Sequence, residues 1–241
     1  PDYPVNDVVL LRTASSLENT MVLLYETAQE LGVLDDDMAT LVERAHELRP
    51  LIEEHAAAAE QERRLAVPVV GALTDAGLMS MCTPAAYGGA ETDPVTLIAA
   101  IEAVAIGDGA AGWCSMIAST TSSMAAFLPA ETAQTIYGDP QIVTGGVFAP
   151  NGVGAAIERN GVAGFAVTGQ WAWGSGTQHC QWVLGGARCD DGTFRLCWFP
   201  QDDVDFHDTS PSSTGASVAI AAGVFAVVLA DDADAVPAAG L

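Results

Sequence analysis

Between Gly164 and Trp182 the sequence reads Gly-Phe-Ala-Val-Thr-Gly-Gln-Trp-Ala-Trp-Gly-Ser-Gly-Thr-Gln-His-Cys-Gln-Trp. The indole of Trp173 could cover one face of a flat ring system while the Ser175 hydroxyl bonds its edge. Gly174 and Gly176 on either side would let backbone and hydroxyl approach something broad and flat. A plain β-hairpin with aromatic packing across its strands explains the same residues, and both readings stay open. Either way a strand must carry them. Phe165, Val167, Trp171 and Trp173 are large residues at alternating positions, the period of a strand with one buried face. A second strand starts at Gln181-Trp182-Val183-Leu184. His179 lies close by, but nothing in the sequence sets a proton acceptor beside it. Glu158 and Asp205 read as solvated strand residues, and no catalytic acid or base can be named.

Other chemistries find no support. There is no Gly-x-Gly-x-x-Gly at a strand-to-helix junction and no Gly-x-Ser-x-Gly elbow. The five cysteines, Cys82, Cys114, Cys180, Cys189 and Cys197, form no Cys-x-x-Cys, and the four histidines are scattered, so no metal is expected. An odd cysteine count fits reduced thiols and a cytoplasmic location. Residues 1–12 lack the basic start and apolar run of a signal peptide. The formal net charge is −23, from 31 acids against eight basic residues, all of them arginine. That balance argues against nucleic acid and against an anionic membrane surface as partners.

Three regions are expected. Residues 1–38 form an acidic leader with one helix, opened by the Ser15-x-x-Glu18 capping box and carrying Leu17, Met21, Leu24, Ala28 and Leu31 on one face. Residues 39–140 form a helical domain. An apolar stripe runs from Met38 to Leu48, and Pro50 should kink or restart that helix before it continues to about Arg64. Pro68 starts a helix ending at Gly77; Asp93 and Pro94 start one through Ile106; Asp108 caps one running to Phe127; a last one spans Pro129 to Tyr137. Pro84-Ala85-Ala86-Tyr87-Gly88-Gly89 between them is a turn by composition. Residues 141–241 form a β domain with strands at Ile142–Phe148, Ala155–Arg159, Phe165–Trp173, Gln181–Ala187 and Phe194–Phe199, and with turn signals at Asn160-Gly161 and Asp191-Gly192. The apolar stretch Ala216–Ala230 is short for a membrane span and reads as buried strand with a bend near Gly223. The fold class is α+β, an all-helical domain followed by an antiparallel β-barrel-like domain.

Two stretches in this order resemble the acyl-CoA dehydrogenase superfamily. Pro84-x-x-Tyr87-Gly88-Gly89 matches the loop that closes its first helical unit. Gly164 to Trp182 is similar to its middle-domain signature, Gly-Tyr-x-x-x-Gly-x-Lys-x-Trp-Ile-Thr-x-x-x-x-Ala-x-Trp. On that match Trp173 takes the tryptophan position, Ser175 the threonine and Gly174 the isoleucine. The Ser-Gly variant is closer to the flavin-dependent hydroxylases of this fold than to the dehydrogenases. The family's Met-Thr-Glu-Pro loop corresponds to Val147-Phe148-Ala149-Pro150, where Phe148 replaces the threonine and the acid is lost. The resemblance covers about residues 40–208. After residue 209 the family's glycine-rich turn is altered, so this end is expected to be truncated or diverged, and no counterpart of the family's C-terminal helical domain is seen.

The resemblance implies FAD or FMN as cofactor, contacted by Phe148, Trp173, Gly174 and Ser175, with Tyr87 and Trp113 at the substrate pocket. It implies a flavin-dependent oxidoreductase, leaning to hydroxylation of a small aromatic or polycyclic substrate by reduced flavin and oxygen. A flavin reductase and homo-oligomerisation are the partners it implies. Two alternatives stand beside it: an acyl-CoA dehydrogenase forming an α,β-double bond in a thioester, and a catalytically silent fold acting only as a binding module. Phosphates of coenzyme A are usually gripped by basic groups. Arg159, Arg188 and Arg195 are the only ones in the β half, which favours the aromatic substrate.

Overall fold

The computed structural model describes residues 36–159, 162–208 and 217–228. The leader helix expected before residue 33 lies outside them. Helices come first. Helix α1 (Asp36–Glu62) is continuous across Pro50, so the expected restart does not occur. Its apolar side buries Leu41, Val42, Ala45, Ile52 and Ala59. Helix α2 (Val67–Asp75) starts with proline in its first turn. Helix α3 (Pro94–Gly107) begins where the Asp93 carboxylate accepts from the amides of Val95 and Thr96 at 2.8 and 3.2 Å. These bonds satisfy amides that the first turn leaves open and outweigh partial burial, holding the Asp93 carboxyl below its usual range. Asp108 caps helix α4 (Gly109–Ser122) through Ala110, and a tighter turn at Ser123–Phe127 carries it on. Helix α5 (Ala130–Tyr137) closes the helical region.

Six strands follow: β1 (Thr144–Arg159), β2 (Val162–Gly174), β3 (Trp182–Cys189), β4 (Phe194–Pro200), β5 (Asp205–Asp208) and β6 (Ser217–Val228). Two expected strands, 142–148 and 155–159, are one long β1. The bend between them is a shift in register against β3 between Val147 and Gly152. The apolar stretch near the end is β6, and its register against β2 shifts between Ala221 and Val224, spanning Gly223. No helix among the described residues is long and apolar enough to cross a membrane.

The strand order is β2-β1-β3-β4-β6-β5, with β6 also pairing β2. The antiparallel expectation needs correction. β1 and β3 run parallel, because β2, antiparallel to β1, returns the chain to the start of β1 and β3 sets out from there with Trp182 opposite Thr144, so the sheet is mixed. Barrel-like describes it loosely, because the β4–β6 ladder that completes the ring is only Cys197↔Val228 and Trp198↔Val227.

Three apolar clusters hold these layers. One joins α1, α2, α3 and α4. A second sits inside the sheet around Val167, Trp171 and Phe199. A third packs α5 through Ala133, Ile136 and Tyr137 onto Leu184, Leu196 and Trp198 of the sheet.

Candidate functional site

Strand β2 carries the aromatic stretch, and its two central tryptophans part company. Trp171 is 2% exposed and Trp173 is 76% exposed, although simple alternation would put both on one face. Trp171 is core. Its Nε1 donates to Gly186 O at 2.8 Å, and its ring lies 5.4 Å from that of Phe199. Gly152, Gly169 and Gly185 make the slot: a Cβ on any of them would fall 2.6–2.7 Å from the Trp171 ring. Trp173 leaves the face through a bulge. Against β6, Trp171 pairs with Ala219 and Gly174 with Ser217, so β2 holds one residue more than its partner there. Trp173 takes φ 69° in that bulge.

The loop after the bulge is tied down by its own polar groups. The Ser175 amide donates to Trp173 O at 2.9 Å, Thr177 Oγ1 to Gly174 O at 2.7 Å, and the His179 amide to Gly176 O at 2.9 Å. Ser175 is half-buried and Gly174 buried. Gly176, at φ 70°, rests on α4: a Cβ there would lie 3.4 Å from Cys114 Sγ. The neighbour of Cys114 on that helix is Trp113, 48% exposed. The loop of Trp173 and Ser175 and the helix of Trp113 are therefore in direct contact. Sequence alone gave no sign of the Gly176–Cys114 seat, since contact between distant segments has no local signature.

Electrostatics around the loop is quiet. His179 is held neutral, its pKa down to about 4, first by burial and then by the charge of Arg64. Its Nε2 is buried without a hydrogen-bond partner among the described residues. Burial pushes the Cys114 thiol up to about 12, with Asp108 adding to the effect, and raises Cys180 as well. Neither thiol is a nucleophile in this state. No group of three or more metal-binding side chains occurs among the described residues.

The remaining candidates sit on other elements. Phe148 is 46% exposed in the segment of β1 where the register against β3 shifts. Tyr87 ends a short turn, Ala85–Tyr87, and packs partly on the Tyr137 and Trp198 cluster. A cavity of about 460 Å³ opens between α1, α2 and the Tyr-Gly-Gly loop, lined by Arg44, Asp75, Gly89 and Gln141 among others. None of Phe148, Trp113, Trp173 or Ser175 lines it.

Residues 38–134 match the family described as acyl-CoA dehydrogenase, N-terminal domain. The flavin-dependent monooxygenase, oxygenase subunit HsaA, of Rhodococcus jostii (strain RHA1) is 29% identical over 185 residues, 73% of this chain and 47% of that protein. The crystal structure of 3-HSA hydroxylase from Rhodococcus sp. RHA1 superposes with TM-score 0.73 at 27% identity, covering 81% of this chain and 52% of the other. XiaF from Streptomyces sp., in complex with FADH2 and glycerol, gives TM-score 0.73 at 26% identity over 84% of this chain and 51% of XiaF. The chain spans about half the length of the relatives it matches.

Proposed function

We propose that this chain, which belongs to the acyl-CoA dehydrogenase superfamily, is the flavin-holding part of an oxygenase that hydroxylates a small aromatic or polycyclic substrate. The observation that carries the reading is the exposed Trp173 indole on a hydrogen-bonded Gly-Ser-Gly loop seated on α4. A flavin ring fits these residues. It is flat, as an exposed indole requires, and its edge is polar, as a serine beside a glycine can serve.

In this reading Trp173 covers one face of the ring, Ser175 and the Gly174 backbone meet its edge, and Phe148 adds a second apolar contact. Tyr87 and Trp113 bound the substrate side. When bound and reduced, the flavin supplies the chemistry by activating dioxygen. The chain supplies position and excludes water. Its thiols stay protonated, and the neutral His179 adds no charge beside the ring. The basic residues are few, which suits a substrate without phosphates better than an acyl-CoA. Either FAD or FMN would suit this reading.

The regions 1–38, 39–140 and 141–241 are proposed as leader, helical domain and β domain. A flavin reductase that delivers the reduced cofactor is the proposed partner, in a homo-oligomer. Five cysteines that form no disulfide among the described residues suit a reducing compartment, which supports a cytoplasmic location.

The test begins with an absorbance titration of the chain with FMN and with FAD. Retained yellow colour supports the reading; a folded chain that takes up neither flavin overturns it. Loaded with reduced flavin, the protein is expected to consume oxygen, and its oxidised flavin should not bleach under an anaerobic acyl-CoA. Bleaching would assign it to the dehydrogenases instead.

A further inference from the structure

We infer that the cavity between α1, α2 and the Tyr87-Gly88-Gly89 loop is a second small-molecule site, suited to a neutral, hydroxyl-rich ligand of the sugar or polyol class. Its volume, about 460 Å³, is that of a small-molecule site. The polar groups around it include Arg44, Thr74, Asp75, Ser80, Thr92 and Gln141, and no aromatic side chain of the described residues lines it. A flat aromatic ligand has no face to stack on here. The residues assigned to the flavin, Phe148, Trp173, Gly174 and Ser175, do not line it either, so the site does not rest on the function proposed above.

Charge favours a neutral ligand. Arg44 Nη1 donates to Ala76 O at 3.3 Å, which sets the guanidinium at the C-terminal end of α2, where Asp75 also stands. A cation would meet Arg44 and an anion would meet Asp75. The formal charge of −23 further opposes an anion. The guanidinium offers donors and the carboxylate acceptors, while Ser80, Thr92 and Gln141 offer both. A ligand hydroxyl, itself donor and acceptor, can bond to any of them.

The fold leaves two hydroxyls over on the loop side. The backbone there is paired: the Thr83 amide donates to Ser80 O at 3.0 Å, that of Glu91 to Thr83 O at 3.0 Å, and that of Thr92 to Met81 O at 2.9 Å. A Cβ on Gly89 would collide with Thr83 O, so glycine is needed for the loop to close this tightly. Yet the buried Oγ1 atoms of Thr83 and Thr92 have no hydrogen-bond partner among the described residues. Thr83, 4% exposed, lines a recess of about 10 Å³, room for about one hydroxyl. Ser80, Gly88, Gly89 and Pro140 bound both the recess and the large cavity. Buried hydroxyls are normally paired, and these two stand in the walls of a polar cavity with their bonding capacity unspent.

The test is a titration of the chain with glucose, maltose and sorbitol by ligand-observed NMR, with inorganic phosphate and indole as an anionic and a flat aromatic probe. At least one of the three hydroxyl-rich probes is expected to bind saturably in the millimolar range. Arg44→Met and Thr92→Val should each weaken that binding by about 2- to 12-fold, the loss of one hydrogen bond. Without ligand, Thr92→Val should unfold no lower than the parent, because its hydroxyl has no bond in the fold to lose. A lower unfolding temperature would mean that the hydroxyl is spent inside the fold, and overturns the assignment. Absence of saturable binding by all three probes overturns it too, as does binding that both variants leave unchanged. Binding of phosphate or indole that Arg44→Met abolishes, with no response to the three, would give the cavity to another ligand class and overturn this one.

Discussion

The indole Nε1 of Trp198 donates to the phenol oxygen of Tyr137 at 3.2 Å, buried and across 61 residues of sequence. This bond fastens the last helix, α5, to strand β4. Burial raises the Tyr137 pKa, so the phenol stays protonated. Tyr137→Phe should leave the indole N–H buried and unpaired, lowering stability by about 1–3 kcal/mol. Urea unfolding would read this, and in a Trp198→Phe background, which carries its own cavity cost, the further loss on Tyr137→Phe should be smaller because no indole N–H is left unpaired.

The two tryptophans of β2 should separate in the same assay. Trp171→Ala is expected to cost about 3–5 kcal/mol, because it empties a slot built from three glycines and frees the Gly186 carbonyl. Filling that slot from the other side, by Gly185→Val, should be comparably damaging, since a Cβ at that position already falls 2.7 Å from the ring.

Ser175→Ala is expected to weaken flavin binding by about 2- to 12-fold, the equivalent of about 0.5–1.5 kcal/mol for one neutral hydrogen bond. Its unfolding temperature without flavin should stay near that of the parent. An equal affinity in the variant would remove Ser175 from the flavin site.

Stability should fall on mild acidification because of His179. Its folded pKa, about 4, lies below the ordinary 6.5, so the unfolded chain binds the extra proton first. Above the ordinary value the residue is neutral in both states and contributes nothing. As pH drops from about 6.5 to about 4 it favours unfolding progressively, by up to ~3 kcal/mol. His179→Gln should flatten this slope, as seen in denaturation midpoints at neutral pH and near pH 5.

A formal charge of −23 predicts self-repulsion in the compact state. The ion pairs Arg49–Glu53 and Arg195–Asp191 join residues four apart and do little to offset it. Raising sodium chloride from about 0.01 M to 1 M shortens the screening length from about 30 Å to 3 Å. The unfolding temperature should rise across that range; a flat response would show that the acids are already well dispersed.

Local signals in the sequence carried over well. Asp93 and Asp108 cap helices, and the prolines at 68 and 94 sit in first turns, because these effects need only a few neighbouring residues. Long-range pairing was not legible. Trp171 and Trp173 read as one face because the bulge between them is made by β6, far along the chain. The strand that reads as two pieces is one, because β3 pairs with it on both sides of residues 148–151, at Thr144–Val147 and at Gly152–Gly154. The parallel sense of β1 and β3 has no sequence pattern of its own, and β5, four residues long, is too short to show a period. At the site, residue types pointed to Trp173 and Ser175, but the helix they rest on came only from the packing of Gly176 on Cys114.

The two-residue ladder between β4 and β6 makes the sheet a clasp. Releasing Cys197↔Val228 and Trp198↔Val227 would turn the ring into an open ribbon, β4-β3-β1-β2-β6-β5, in which every other pairing survives. The seam is the cheapest place for the sheet to part, and it lies on the strand that holds Tyr137 through Trp198. Backbone amides at that seam should exchange with solvent ahead of those along β1 and β2, where the ladder extends over eight residue pairs.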